Sequence, residues 1–179
     1  HSHSGTSMTM RLRPLALALL AGTLTTPAMA AVFINELHYD NSTSDSNEGI
    51  EVVATAGENL ATYSIVLYNG ATASAGTPYS TRPLPAGSAA SCGGTVSVAS
   101  LRSNNLIQNG GNDGIALVNG SGQVVQFLSY EGTVTASNGP AAGMTSTAIP
   151  VSETNATAAG TSLQLAGSGS AYGDFSWRS

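Results

Sequence analysis

The sequence contains no lysine, a single cysteine and few charged residues, which make up 8% of the chain. Beyond the first thirty residues, three arginines (Arg82, Arg102 and Arg178) stand against ten acidic residues, which leaves a net charge of −7 with histidine neutral. Affinity for nucleic acid comes largely from Lys and Arg side chains that displace counterions from phosphates. This charge balance therefore argues against nucleic-acid binding by this segment alone.

The single cysteine, Cys92, excludes an intrachain disulfide. Because no lysine and no neighbouring histidine would activate the thiol, we interpret Cys92 as a small buried hydrophobic residue rather than a reactive group. We expect the stability of the fold to come from packing or from a bound ion.

Long apolar runs are also missing, and the run from Leu15 to Leu20 is too short to span a bilayer. It follows Arg11 and Arg13 and precedes Ala28-Met29-Ala30, the layout of a secretory signal peptide cut before Ala31. We predict that residues 1–9 are a tag remnant, that residues 10–30 are a signal peptide, and that residues 31–179 form one domain. The chain would then be secreted, either periplasmic or extracellular, without a membrane span.

No convincing helical spacing of apolar residues occurs after Ala31, where short β-branched runs alternate with Gly, Asn and Pro. This pattern predicts an all-β antiparallel sandwich or barrel. The predicted strands are Val32–Leu37, Gly49–Ala54, Tyr63–Tyr68, Thr95–Ala99, Gly114–Val118, Val124–Tyr130 and Ser162–Leu165.

The clearest hairpin joins the fifth and sixth predicted strands through Asn119-Gly120-Ser121-Gly122. Its alternation predicts that Ile115, Leu117, Val125 and Phe127 point inward. The Gly-, Ala-, Ser- and Pro-rich segment between Asn69 and Leu101 predicts a long variable excursion, and residues 131–159 predict a loop that crosses the sandwich.

Three motifs together resemble one known family: Ile34-Asn35-Glu36-Leu37-His38-Tyr39-Asp40-Asn41, then Glu48-Gly49-Ile50-Glu51-Val52, then the segment from Asn59 to Gly70. The chain resembles the lamin-tail domain family, and the later segments Asp113–Val118 and Val124–Tyr130 are similar to that family's DGIALVD and VVQFLSYEG hairpin. Two positions depart from the family pattern, since Ile50 replaces Phe or Val and Ala61-Thr62-Tyr63 replaces Ser-Gly-Trp.

The resemblance implies an immunoglobulin-like antiparallel β-sandwich. It also implies an accessory module that precedes a catalytic domain of the endonuclease/exonuclease/phosphatase type in a larger exported protein. The chain ends two residues after Trp177, and we expect that it was cut from a longer sequence.

Catalysis by this segment has little support in its residue types. After the tag, His38 is the only histidine, and no G-x-S-x-G element supplies a nucleophile. His38 and Asp40 are expected on one outward-pointing strand face, with His38 at the surface or at a strand end. We predict no catalytic residue and no organic cofactor.

Metal binding is better supported, because Asp40, Asn41, Asp45 and Glu48 lie in the connection between two predicted strands. Calcium takes about six to eight oxygen ligands, which a polar loop can supply. We expect Asp40, Asp45 and Glu48 to be the ligands, with calcium ahead of magnesium, and Asp113 to assist if the loops meet. A solvated acidic turn without metal is the alternative, since Asp and Asn are common turn residues.

Glu36 conflicts with the alternation of the first predicted strand, because it falls between Ile34 and His38 on one face. It is either an exposed charge on an edge strand or a partly buried acid with a partner such as Arg102.

Three functions remain open. The first is an accessory module of a secreted nuclease, which contacts the neighbouring catalytic domain, a cell surface or a protein partner. The second is a free-standing adhesion or structural domain, and the third is a metal-dependent hydrolase that uses the Asp40–Glu48 loop.

Overall fold

The structure is a computed structural model that describes residue 1 and residues 31–42, 44–55, 57–71 and 73–179. The predicted signal peptide, and all of the tag remnant except residue 1, lie outside the described residues. The described part is almost entirely β-structure, with two short 3₁₀ turns. Its strands are β1 (Val32–His38), β2 (Gly49–Thr55), β3 (Ser64–Tyr68), β4 (Pro78–Pro83), β5 (Ser88–Ser91), β6 (Thr95–Arg102), β7 (Gly114–Val118), β8 (Val124–Ser129), β9 (Thr147–Ala148), β10 (Leu163–Gly167) and β11 (Phe175–Arg178).

The strands form two sheets. The larger sheet has the order β11-β10-β1-β2-β6-β5, and the smaller one has the order β4-β3-β7-β8-β9. All neighbouring strands are antiparallel except β8 and β9, which are parallel. The predicted all-β sandwich is confirmed.

The main core lies between the two sheets, where apolar residues of β1, β2, β3 and β7 meet. Ile34, Val52, Ile65 and Ile115 are fully buried in it. Burying a side chain of this size stabilises the fold by about 1.5–3 kcal/mol relative to leaving it exposed.

A second apolar layer covers the outer face of the smaller sheet. Tyr68, Ala116 and Phe127 pack there against Val134 and Ala141 from the segment that follows β8. As a result β7 is buried on both faces.

The inward assignment of Val125 and Phe127 is therefore wrong. Phe127 is buried in the second layer rather than between the sheets, and Val125 is 44% exposed. The residue of β8 that enters the main core is Leu128.

A β-bulge in β1 resolves the conflict at Glu36. Ile34 pairs with Val52 and Glu36 with Glu51, so Asn35 is an extra residue with no partner position on β2. The bulge lets both Ile34 and Leu37 face the main core, although they are three residues apart. Glu36 accepts a hydrogen bond from Arg102 at 2.9 Å. Because β1 is an inner strand, the edge-charge interpretation is wrong.

The predicted excursion between Asn69 and Leu101 contains two additional strands, β4 and β5. Each pairs antiparallel with a neighbour, β4 with β3 and β5 with β6. The burial predicted for Cys92 is also wrong, because Cys92 lies exposed in the tight turn between β5 and β6. In that turn its N–H donates to the carbonyl oxygen of Gly94 at 2.9 Å.

In the part of the chain that the structure describes, none of the helical segments has the length and apolar character required to cross a membrane.

Candidate functional site

Polar residues gather at the end of the sandwich where β1 ends and β2 begins. Loops that flank β7 and β8, and the segment before β10, contribute to the same end. Most of these side chains are buried, which is unusual for charged groups. We call this set the polar cluster: His38, Asp40, Asn41, Asp45, Glu48, Asp113, Glu131 and Glu153.

His38 and Glu153 form a buried pair. His38 Nδ1 donates to Glu153 Oε1 at 2.8 Å, and the two side chains are 4% and 1% exposed. The other ring nitrogen, Nε2, lies 3.2 Å from the carbonyl oxygen of Ser46. His38 is the last residue of β1, which agrees with the expectation that it lies at a strand end. Its expected surface position is wrong, because the segment that carries Glu153 covers it.

Glu153 also fastens the chain that follows β1. Its Oε2 accepts hydrogen bonds from the backbone N–H groups of Tyr39, at 2.6 Å, and Asp40, at 3.1 Å. A carboxylate that accepts backbone N–H groups forms charge-assisted hydrogen bonds, which are stronger than neutral ones. One glutamate therefore joins β1, its following loop and the segment before β10.

Tyr39 lies at the centre of the same network. Its hydroxyl donates to Glu131 Oε1 at 2.9 Å and accepts the backbone N–H of Glu153 at 2.8 Å. Its ring stacks on Tyr130, with centroids 4.1 Å apart and planes 22° apart. The hydroxyl of Tyr130 donates to the carbonyl oxygen of Gln108.

Two further acids hold loops through backbone N–H groups. Glu48 Oε2 accepts from Ile107 at 2.7 Å, and Asp113 Oδ1 accepts from Gly70 at 2.5 Å. Both acids are buried. They tie the connection between β6 and β7 to β2, and the start of β7 to the end of β3.

Asp40 and Asn41 differ from the rest of the cluster because each has a buried oxygen without a partner. Asp40 Oδ1 and Asn41 Oδ1 make no hydrogen bond within the described residues, although the two residues are only 7% and 1% exposed. The amide nitrogen of Asn41 donates to Ser46 O, at 3.3 Å. Asp45 is half-buried beside them and accepts the backbone N–H of Asn41 at 3.3 Å.

Burial and neighbouring acids set the electrostatics of the cluster. Burial raises the pKa of Asp40, and charge repulsion from Asp45 raises it further. Burial also raises the pKa of Asp113, partly offset by hydrogen bonds from Gly70 and Tyr130. At the side of the cluster, burial raises the pKa of Tyr79 to about 12.

The surface contains a polar hollow beside the cluster and an apolar hollow away from it. A polar one of about 330 Å³ opens beside the cluster, between Asp45, Glu48 and Tyr79 and the backbone of residues 105–109. An apolar one of about 270 Å³ lies on the larger sheet, lined by Phe33, Val53, Val98 and Phe175 among others.

The structure brings the three predicted ligands to one end of the sandwich but gives them different surroundings. Asp45 is bonded to the backbone N–H of Asn41, next to Asp40, whereas Glu48 is bonded to the backbone N–H of Ile107. Asp113 joins Asp40 only indirectly, through the stacked pair of Tyr130 and Tyr39. Among the described residues, no group of three or more His, Cys, Asp or Glu side chains is placed to bind one metal ion.

Glu153 is the functional residue that the sequence did not reveal. It is separated from His38 by 115 positions, and no motif marks it. The one available signal is its isolation, because it is the only charged residue between Glu131 and Asp174.

Comparison of the chain with protein-family models, with curated proteins and with solved structures finds no match.

Proposed function

We propose that residues 31–179 are a non-catalytic, exported accessory module, the N-terminal lamin-tail-like domain of a larger secreted nuclease. Its task is to position or tether the enzyme. The proposal rests on the family motifs together with one feature of the structure, the use of the polar cluster's side chains to hold loops.

The main structural support is the way in which the polar cluster's side chains are already engaged in hydrogen bonds. A general base must have a lone pair free to reach a substrate proton. His38 is 4% exposed, with Nδ1 facing Glu153 and Nε2 lying 3.2 Å from the carbonyl oxygen of Ser46, so neither ring nitrogen is open to a substrate. Glu153 receives two backbone N–H groups. Glu48 and Asp113 each receive one backbone N–H. Groups used in this way build a rigid end of a sandwich, which suits a scaffold.

The surface charge favours a partner other than nucleic acid. With three arginines against ten acids, the mature chain repels a phosphate backbone. We infer that the partner is the neighbouring catalytic domain or a protein at the cell surface. Contact with nucleic acid then falls to the enzyme that the module accompanies.

The gene sequence beyond Ser179 tests this proposal. We expect the reading frame to continue into a catalytic domain with clustered His, Asp and Asn residues. A stop codon shortly after Ser179, or a series of further β-sandwich repeats, would instead support a free-standing adhesion or structural domain. Fusion of residues 10–30 to a reporter that is active only after export tests the signal peptide.

A further inference from the structure

Two neighbouring residues at the end of β1 have buried oxygen atoms without hydrogen-bond donors. Asp40 Oδ1 and Asn41 Oδ1 are both inaccessible to solvent and unpartnered within the described residues. Buried polar atoms in folded proteins nearly always have a partner, because leaving one unsatisfied costs about 1–3 kcal/mol. A hydrogen-bond donor or a cation would satisfy these two oxygens, and the negative charge of Asp40 favours a cation.

The charged residues around these two oxygens also favour a bound cation. Asp45 Oδ1 accepts the backbone N–H of Asn41 at 3.3 Å, so a second carboxylate lies beside Asp40 and Asn41. The sequence contains no lysine, and Arg102 is bonded to Glu36. The histidine of the cluster, His38, is already paired with Glu153.

We propose that Asp40, Asn41 and Asp45 bind a divalent cation, with calcium preferred. Two carboxylates and an amide oxygen are hard ligands of the kind that calcium takes, and its six to eight positions are completed by carbonyl groups and water. Magnesium demands near-ideal octahedral geometry, which an irregular loop supplies less readily. The proposed ligand set contains two carboxylates, and the amide oxygen of Asn41 takes the place of a third.

Glu48 has a separate task in this assignment. Its Oε2 accepts the N–H of Ile107 at 2.7 Å, and the side chain is 2% exposed. A glutamine at this position retains an oxygen that can accept the same N–H. Glu48→Gln therefore separates a site built on Asp40, Asn41 and Asp45 from one that also requires the charge of Glu48.

Calorimetry of the full chain tests the site. After treatment with a chelator, the protein is titrated with CaCl₂, and its melting temperature is compared in about 10 mM CaCl₂ and in NaCl of equal ionic strength. We expect one bound calcium with a Kd of about 10⁻⁴ to 10⁻³ M, typical of extracellular modules. Saturation is expected to raise the melting temperature by about 5 °C, and MgCl₂ to raise it less.

Four variants complete the test. Asp40→Asn keeps the shape and removes the charge, so we expect Kd to rise at least about tenfold without loss of stability in the chelator. Asp45→Asn, at a half-buried position, is a second variant with the same expected loss of affinity. Glu48→Gln and Glu36→Gln are expected to keep the calcium response. Absence of binding heat in the wild type, or an unchanged Kd in both aspartate variants, would overturn the proposal, and loss of binding in Glu48→Gln would overturn the assigned ligand set.

Discussion

At the scale of single residues, Tyr39 and Glu153 together hold the centre of the polar cluster. Its hydroxyl bonds to Glu131 and to the backbone of Glu153, its N–H bonds to the side chain of Glu153, and its ring stacks on Tyr130. The residues on either side of it, His38 and Asp40, are held by the same glutamate. The cluster is therefore organised around a buried aromatic residue.

Tyr39→Phe tests this role. The substitution retains the ring stack but leaves the buried N–H of Glu153 without an acceptor, so we expect the free energy of unfolding to fall by about 1–3 kcal/mol. Urea denaturation measures the change. Tyr63→Phe is the matched control, because its hydroxyl donates only to the carboxylate of Glu58 and leaves no backbone group unpaired. Equal losses in the two variants would contradict the role given to Tyr39.

Asp113 gives a pH dependence with a definite sign. Its pKa in the folded state lies above the ordinary value of 3.8, so the native protein binds a proton at a pH where the unfolded chain has released it. The charged form therefore lowers stability above the folded pKa, and the loss disappears as the pH falls towards 3.8.

Wild type and Asp113→Asn are compared by urea denaturation between pH 7 and pH 4. We expect the free energy of unfolding of the wild type, relative to the variant, to increase as the pH falls, because only the wild type gains the proton. Groups common to both proteins cancel in this difference. A relative loss of wild-type stability on acidification would show that the pKa of Asp113 is lowered by its hydrogen bonds.

At the scale of elements, the smaller sheet is covered on both faces. One face of β7 and β8 meets the main core, and the other meets the segment that contains Val134 and Ala141. Near the end of β8, successive side chains point to the two faces of the sheet, and both faces are buried there. Phe127 belongs to the outer of these layers, beside Tyr68 at a centroid distance of 5.3 Å.

Phe127→Ala and Val125→Ala test this arrangement as a pair. Truncation of the buried ring is expected to lower the free energy of unfolding by about 3–5 kcal/mol. Val125 is 44% exposed, so its truncation is expected to cost less than about 0.5 kcal/mol. Chemical denaturation gives both values. A large loss at Val125 would place that residue in the core, as its position on the same predicted strand face as Phe127 indicated.

The strands that could be predicted from the sequence are those with β-branched runs bounded by turn residues. β7 was located with its observed bounds, Gly114–Val118, and β2 lacked only Thr55. β4 and β5 were missed because Pro, Ser and Ala dominate them. They are strands through pairing with β3 and β6, which local composition does not reveal.

The bulge at Asn35 was equally hidden. A strict period of two along β1 puts Glu36 with Ile34, and only the pairing with β2 shows that one residue is extra. The acids of the polar cluster's first loop stand out in the sequence because Asp, Asn and Glu are grouped there. Their hydrogen-bond partners, however, lie far along the chain. Contacts across long loops, such as the one between His38 and Glu153, are not encoded in local spacing.

At the scale of the whole molecule, six of the ten acids lie in the polar cluster at one end, and the other four stand against the three arginines of residues 31–179. Within the described residues, side-chain ion pairs join Arg102 to Glu36 and His38 to Glu153. The other acids of the polar cluster are satisfied by backbone N–H groups, by tyrosine hydroxyls or, in the proposed site, by a cation. These hydrogen bonds tie the loops at this end to the sandwich, as expected for the scaffold that we propose.

A DNA-cleavage assay of the purified chain tests whether the polar cluster is a scaffold rather than a catalytic centre. Linear and supercoiled DNA are incubated with the protein and calcium, magnesium or manganese, and the products are separated on a gel. We expect intact DNA with every metal, in wild type and Asp40→Asn alike. Metal-dependent cleavage by the wild type that disappears in Asp40→Asn would contradict this expectation and establish the Asp40–Glu48 loop as a hydrolase centre.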